Sequence, residues 1–137
     1  MRAFEAQVPY NRVLGLRLLD VSAAQSRVSF DMRDELVGNY TRGTLHGGVI
    51  SATLDVVGGL VALMSIADNI EVDLVKRLAA IGTIDLRVDY LRPGTGKHFE
   101  ATGSNLRGGR KVAVTRMELH NDAGVLIAVG TGTYVVA

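Results

Sequence analysis

From Val49 to Ala67 the chain carries only apolar or small residues and a single charge, Asp55. A stretch of that length is either a membrane span or a helix buried in a folded core. Asp55 near its middle, the Gly58-Gly59 pair and the lack of a flanking basic cluster all favour the buried helix, so no membrane is expected as a partner. A carboxylate in so apolar a helix is costly unless it is paired or put to use. The rest of the fold must therefore wrap this helix and give Asp55 either a partner or a task.

The flanking segments supply the wrapping. Val28, Phe30 and Met32 alternate with Ser29, Asp31 and Arg33, the period of a half-buried strand. Ile84, Leu86, Val88 and Tyr90 alternate with Asp85, Arg87 and Asp89 up to the turn signal Arg92-Pro93-Gly94. A further strand is expected from about His98 to Leu106, with Gly108-Gly109 as a two-residue hairpin loop. The return strand, Lys111 to Leu119, is closed by Asn121-Asp122-Ala123-Gly124, and a last strand runs from Val125 to Val136. Leu14 to Val21 reads as an edge strand or as the end of an N-terminal helix, and Val72 to Ala80 as a short second helix. This order predicts an α+β architecture, a long central apolar helix wrapped by an antiparallel sheet of about five to six strands. The chain of 137 residues has room for one such domain, 1–137.

Charge and composition remove several function classes. Fifteen basic against 14 acidic residues leave a net charge of +1, without the cationic excess that nucleic acid requires. A chain that is 47% apolar and 21% charged is globular, not disordered. Without cysteine there are no disulfides, thiolate zinc sites or Cys nucleophile, and a reducing, cytoplasmic setting is expected. The N-terminal residues hold no apolar stretch of signal-peptide length. His98 and His120 lack ligand-spaced partners and the chain has only three histidines, so no metal site is expected; no cofactor is expected either.

The chemistry concentrates at the start of the helix. Gly38 to Gly48 reads Gly-Asn-Tyr-Thr-Arg-Gly-Thr-Leu-His-Gly-Gly and runs directly into the apolar segment. Glycines let backbone approach a ligand, and a helix start offers free N–H groups with partial positive charge, which suits an oxygen that gains negative charge during a reaction. On residue types alone the loop is equally a flexible turn that contains a histidine. Helical spacing places Ser51, Asp55, Gly58, Gly59 and Ala62 on one small-residue stripe, opposite a sheet-facing stripe of Ile50, Leu54, Val57 and Val61. Asp55 then faces an interface or pocket, the alternative being a structural carboxylate bonded to a backbone N–H or an arginine.

His46-Gly47-Gly48 with Asp55 nine residues after the histidine resembles the hotdog-fold acyl-CoA thioesterases of the PaaI-like type. The resemblance extends from about Asn11 to Val136 and takes in Gly-Thr-Leu-His-Gly-Gly and the strand Gly82 to Pro93. With Arg110-Lys111-Val112-Ala113-Val114 it is most similar to the YigI branch, associated with medium- and long-chain acyl-CoA and fatty acid metabolism. It implies that the Gly47 N–H polarises the thioester carbonyl and that Asp55 is the general base or nucleophile. Thr83 then helps to hold the attacking water, and His46 has an orienting role. Asn39 corresponds to an asparagine upstream of the motif, here seven residues before His46 where six is usual. Gly48 is implied in substrate binding. Arg107, Arg110 and Lys111, around Gly108-Gly109, are placed to hold coenzyme A phosphates, or else form a solvated hairpin end.

Spacing adds a constraint of its own. Gly47 and Asp55 are eight residues apart on one helix, roughly 12 Å at 1.5 Å per residue. One thioester carbon cannot lie about 3 Å from both groups of the same chain. If both act on one substrate they come from different subunits, and hotdog proteins resemble this arrangement, with shared sites in dimers that often pair into tetramers. The leading expectation is therefore an acyl-CoA thioesterase acting as a homo-oligomer. A non-catalytic acyl-CoA-binding regulatory module is the alternative, and a dehydratase of β-hydroxyacyl thioesters would need a His/acid pair that the sequence does not display.

Overall fold

The computed structural model describes residues 2–65, 76 and 78–137. Two short helices, α1 (Arg2–Gln7) and α2 (Pro9–Leu14), precede β1 (Arg17–Val21) and β2 (Gln25–Asp31). A 3-10 turn at Asp34–Leu36 leads into the small hairpin β3 (Val37–Asn39) and β4 (Thr44–Leu45), and then α3 (Gly47–Met64). Four strands follow, β5 (Gly82–Tyr90), β6 (His98–Arg107), β7 (Val112–Asn121) and β8 (Leu126–Val135). Six strands form one antiparallel sheet in the order β1-β2-β6-β7-β8-β5, while β3 and β4 pair separately. This is the predicted helix-and-sheet arrangement.

The apolar face of α3 packs on the sheet. Ile50, Leu54 and Val57 are buried against a floor that includes Phe30, Phe99, Met117, Leu119 and Ile127, and Val61 further along is buried too. Phe30 and Phe99 stack with centroids 5.1 Å apart across the β2–β6 pairing. At Gly103 the helix comes so near that a Cβ would lie 2.9 Å from the Val57 carbonyl oxygen, which is why β6 carries glycine there. A large apolar side chain buried this way contributes about 1.5–3 kcal/mol, and truncation of fully buried Leu54 to alanine would cost about 2–5 kcal/mol. The length and mean hydropathy of α3, 1.8, would allow it to cross a membrane, but 56% of it is buried within the fold, as a core helix.

Several expectations need correction. Leu14–Val21 is both alternatives in turn: α2 ends at Leu14, Gly15 takes the left-handed conformation (φ 72) that closes it, and β1 follows as an edge strand. The β6–β7 connection is not a two-residue loop but the four residues from Gly108 to Lys111, because an irregularity between Asn105 and Arg107 shifts the register. The small-residue stripe of α3 is split: Gly58 and Ala62 are buried, and Ser51, Asp55 and Gly59 remain partly accessible. The alternation of β5 is only half used, with Ile84 54% and Tyr90 53% exposed, because β5 has a single neighbour, β8, and a bulge between Thr83 and Asp85. Most of Val72–Ala80 lies outside the described residues; Lys76 and residues 78–80 are helical.

Candidate active site

The β3–β4 hairpin delivers His46 to the start of α3. Asn39 shapes its turn: Oδ1 accepts from the Thr41 N–H (3.1 Å) and hydroxyl (2.6 Å), and its carbonyl accepts from Arg42 and Gly43. The chain then passes close to itself, since a Cβ on Gly38 would lie 2.6 Å from the His46 Cα. The His46 N–H donates to the Leu36 carbonyl at 2.8 Å. His46 is the N-cap of α3, in an extended conformation (φ −60, ψ 135), and its Nδ1 accepts the Gly48 N–H at 2.8 Å. Nδ1 must therefore carry a lone pair, leaving Nε2 to hold the proton of the neutral ring. The Gly47 N–H has no acceptor among the described residues, and the Tyr90 hydroxyl donates to the Gly47 carbonyl at 3.1 Å. These groups border a shallow depression of ≈ 390 Å³ together with Ile50, Arg92 and Pro93. A free N–H at a helix N-terminus, where about half a positive charge resides, is a donor for an incoming carbonyl oxygen.

Two turns further along α3, Asp55 is held, among the described residues, by hydroxyls and not by a cation. Oδ1 accepts from Thr83 Oγ1 at 2.9 Å and from the Tyr134 hydroxyl at 3.1 Å. The Tyr134 oxygen is also 3.1 Å from the Asp55 carbonyl oxygen. Burial, and then the neighbouring Asp55 carboxylate, hold the Tyr134 phenol well above its ordinary ionisation range, so it remains a donor. Asp55 Oδ2 has no partner among the described residues and is not one of the buried orphan atoms. It borders a groove of ≈ 200 Å³ walled by Val56, Leu60 and Leu63 of α3, Phe4 of α1, Val8 between α1 and α2, and Ile81. Carboxylate and apolar channel thus adjoin.

Of the residues singled out in the sequence, the structure gathers Asp55 with Thr83, and His46 with Gly47 and Gly48. Asp55 with Thr83, and Gly47 of the second group, line separate depressions, spaced along α3 by the roughly 12 Å expected from helical rise. Asn39 sits on the hairpin turn, its side-chain oxygen committed there. Arg107, Arg110 and Lys111 are exposed around the β6–β7 loop, in no ion pair among the described residues. That loop lies by the C-terminal end of α3, where a Cβ on Gly108 would be 3.7 Å from Ser65 Oγ. Sequence reading missed Tyr134. Its signal was present: a tyrosine on the inward phase of β8, after Gly130 and Gly132, must find an acceptor for its hydroxyl once buried.

Comparison with known proteins identifies the family. The Thioesterase superfamily profile matches residues 42–128. The chain is 48% identical over 137 residues to the medium/long-chain acyl-CoA thioesterase YigI of Salmonella typhimurium, covering 97% of this chain and 88% of that protein. It is 31% identical over 126 residues to acyl-coenzyme A thioesterase 13 of Homo sapiens, covering 90% of this chain and 82% of that protein. A crystal structure from Shewanella oneidensis, described as related to the thioesterase superfamily, superposes with a TM-score of 0.92 at 47% identity, covering 99% of this chain and 92% of that one. The fold is the hotdog fold expected from the sequence, and the chain belongs to the thioesterase superfamily of thioester-hydrolysing enzymes.

Proposed function

We propose that the chain hydrolyses acyl-CoA thioesters of medium to long chain length to free acid and CoA, at sites shared between two protomers. The observation that carries this reading is Asp55: one oxygen is anchored by Thr83 and Tyr134, and the other is open beside an apolar groove. The acyl tail lies along Val56, Leu60 and Leu63, and the thioester carbonyl accepts the N–H of Gly47 of the partner subunit. Thr83 donates its hydroxyl hydrogen bond to Asp55, so toward water it can only accept. A water donating to both Thr83 Oγ1 and Asp55 Oδ2 has its lone pair directed at the carbonyl carbon. Asp55 takes the proton as the carbon–oxygen bond forms, and returns it to the sulfur as the carbon–sulfur bond breaks. Direct attack by Asp55 Oδ2, with hydrolysis of the resulting anhydride, uses the same groups.

His46 orients the first turn of α3 and Gly48 lends its backbone to the pocket. Asn39 contributes through its amide nitrogen, since its oxygen is engaged. Arg107, Arg110 and Lys111 hold the CoA phosphates. Pairing of two protomers is supported by the outer edge of β5, which no strand covers among the described residues and which proteins normally cover. Dimers pairing into tetramers complete the assembly.

The test is release of free thiol on mixing the protein with a panel of acyl-CoAs of increasing chain length. Turnover rising through the medium and long chains is expected. Tight binding of the panel without thiol release would instead make the chain a binding module, and water loss from a β-hydroxyacyl-CoA would make it a dehydratase.

A further inference from the structure

Tyr134 is a buried phenol with no step in the reaction above, yet the fold is shaped around it. It is 1% exposed and sits on the inward face of β8, opposite Thr83 in the β5–β8 pairing. Three glycines clear its space: a Cβ on Gly132 would lie 2.6 Å from the ring, one on Gly58 2.7 Å from the hydroxyl, and one on Gly59 3.3 Å from the ring. Gly58 and Gly59 stand inside α3, where glycine weakens a helix. What these glycines admit is a hydroxyl 3.1 Å from both the side chain and the carbonyl of Asp55.

A carboxylate has two equivalent oxygens and a broad, two-fold torsion, so left alone it offers either oxygen to a reactant. Two donors on Oδ1 remove that freedom. Thr83 donates from an exposed position on an edge strand, where little packing holds its side chain. Tyr134 is locked by packing and stays protonated, so it is the fixed donor of the two. We infer that Tyr134 is a positioning residue which, with Thr83, pins Asp55 Oδ1 and thereby presents Oδ2 as the working oxygen. This rests on the reading of Asp55 as base or nucleophile.

The experiment compares wild type, Asp55→Asn, Tyr134→Phe and the double variant by thiol release from one acyl-CoA. Tyr134→Phe keeps the ring and removes only the hydroxyl, and should lower kcat about 10- to 100-fold with KM unchanged. In the Asp55→Asn background it should lower the residual rate no further, because it acts only through that carboxylate. A general packing role would depress both backgrounds alike, and that result overturns the inference. So does a Tyr134→Phe kcat within about two-fold of wild type while Asp55→Asn is inactive, an outcome that leaves the thioesterase reading standing. A wild-type chain that releases no thiol removes that reading, and the inference with it. Should Tyr134→Phe not fold, Gly132→Ala retains the hydroxyl but displaces the ring. A folded Gly132→Ala at full rate overturns the inference, and a lowered kcat at constant KM supports it.

Discussion

The Nδ1 of His46 accepts the backbone N–H of Gly48 at 2.8 Å, so the histidine of the His-Gly-Gly motif is the cap of its own helix. It therefore acts on the N-terminus of α3 through geometry, holding the first turn so that the Gly47 N–H stays free. His46→Ala should lose the cap, at about 0.5–2 kcal/mol and with a lower Tm, whereas His46→Ser should recover most of it. Thermal denaturation of the pair checks this. An alanine variant as stable as wild type would show that the bond holds nothing together.

Asp55→Asn should leave fold and assembly intact while removing most of the rate. The amide oxygen is able to keep both hydroxyl donors, but the group beside it then carries protons and cannot take one from water. Loss of a positioned base costs about 10²–10⁴-fold. Retention of more than half the wild-type kcat would take Asp55 out of the mechanism.

The succession of strands, the core helix and the place of Asp55 within it were legible because each rests on a short-range pattern. Alternation marks a strand, and an isolated charge in an apolar helix marks a candidate site. What was illegible depends on partners distant in sequence. The Tyr134 bond to Asp55 spans 79 residues, and only the tertiary fold brings β8 under the middle of α3. The division of the small-residue stripe has the same origin, since Gly58 is buried by Tyr134, Met117 and Thr115 while Gly59 remains at the groove. The four-residue β6–β7 loop was missed because a register irregularity at Asn105/Arg107 leaves no mark on composition. The outward half of β5 is exposed because periodicity reports which residues share a face, not whether anything covers it.

Arg110→Ala with Lys111→Ala should raise KM for acyl-CoA more than it lowers kcat. Both side chains are exposed, and if they hold the CoA phosphates as proposed, those contacts are remote from the thioester and equal in ground and transition states. Two exposed ion pairs predict an increase of about 2- to 30-fold, shrinking as salt is added. An unchanged KM would identify the loop as a solvated turn.

Acid should weaken the edge of the sheet at Asp31. Its carboxylate accepts from Arg17 (3.0 and 3.1 Å) and lies 2.9 Å from His98 Nδ1, and these bonds hold it well below its ordinary value of 3.8. A depressed folded-state value means that the stabilisation is complete above the ordinary value and is lost as pH falls below it. The Tm gap between wild type and Asp31→Asn should therefore close on acidification past that value. A gap that widens in acid would contradict the linkage.

Two inactive variants should restore one another if the site is shared. Gly47→Pro removes the N–H proposed to polarise the carbonyl, and the structure tolerates it: Gly47 is the first residue of α3, and His46 before it is already extended at ψ 135. A Cβ at Gly47 would lie no nearer than 3.4 Å to Tyr90, an ordinary contact. The second variant, Asp55→Ala, lacks the carboxylate. Each homodimer should be nearly inactive, since every site lacks one of the two groups. In a mixed dimer one site loses both, and the other combines Gly47 of the Asp55→Ala chain with Asp55 of the Gly47→Pro chain. Co-refolding at equal amounts puts about half of the dimers in the mixed state with one working site of two, so activity near a quarter of wild type is the ceiling. Differently tagged chains allow mass spectrometry to count the mixed dimers. If they form, both variants are folded and no activity returns, the Gly47 and Asp55 of one reaction do not come from two protomers.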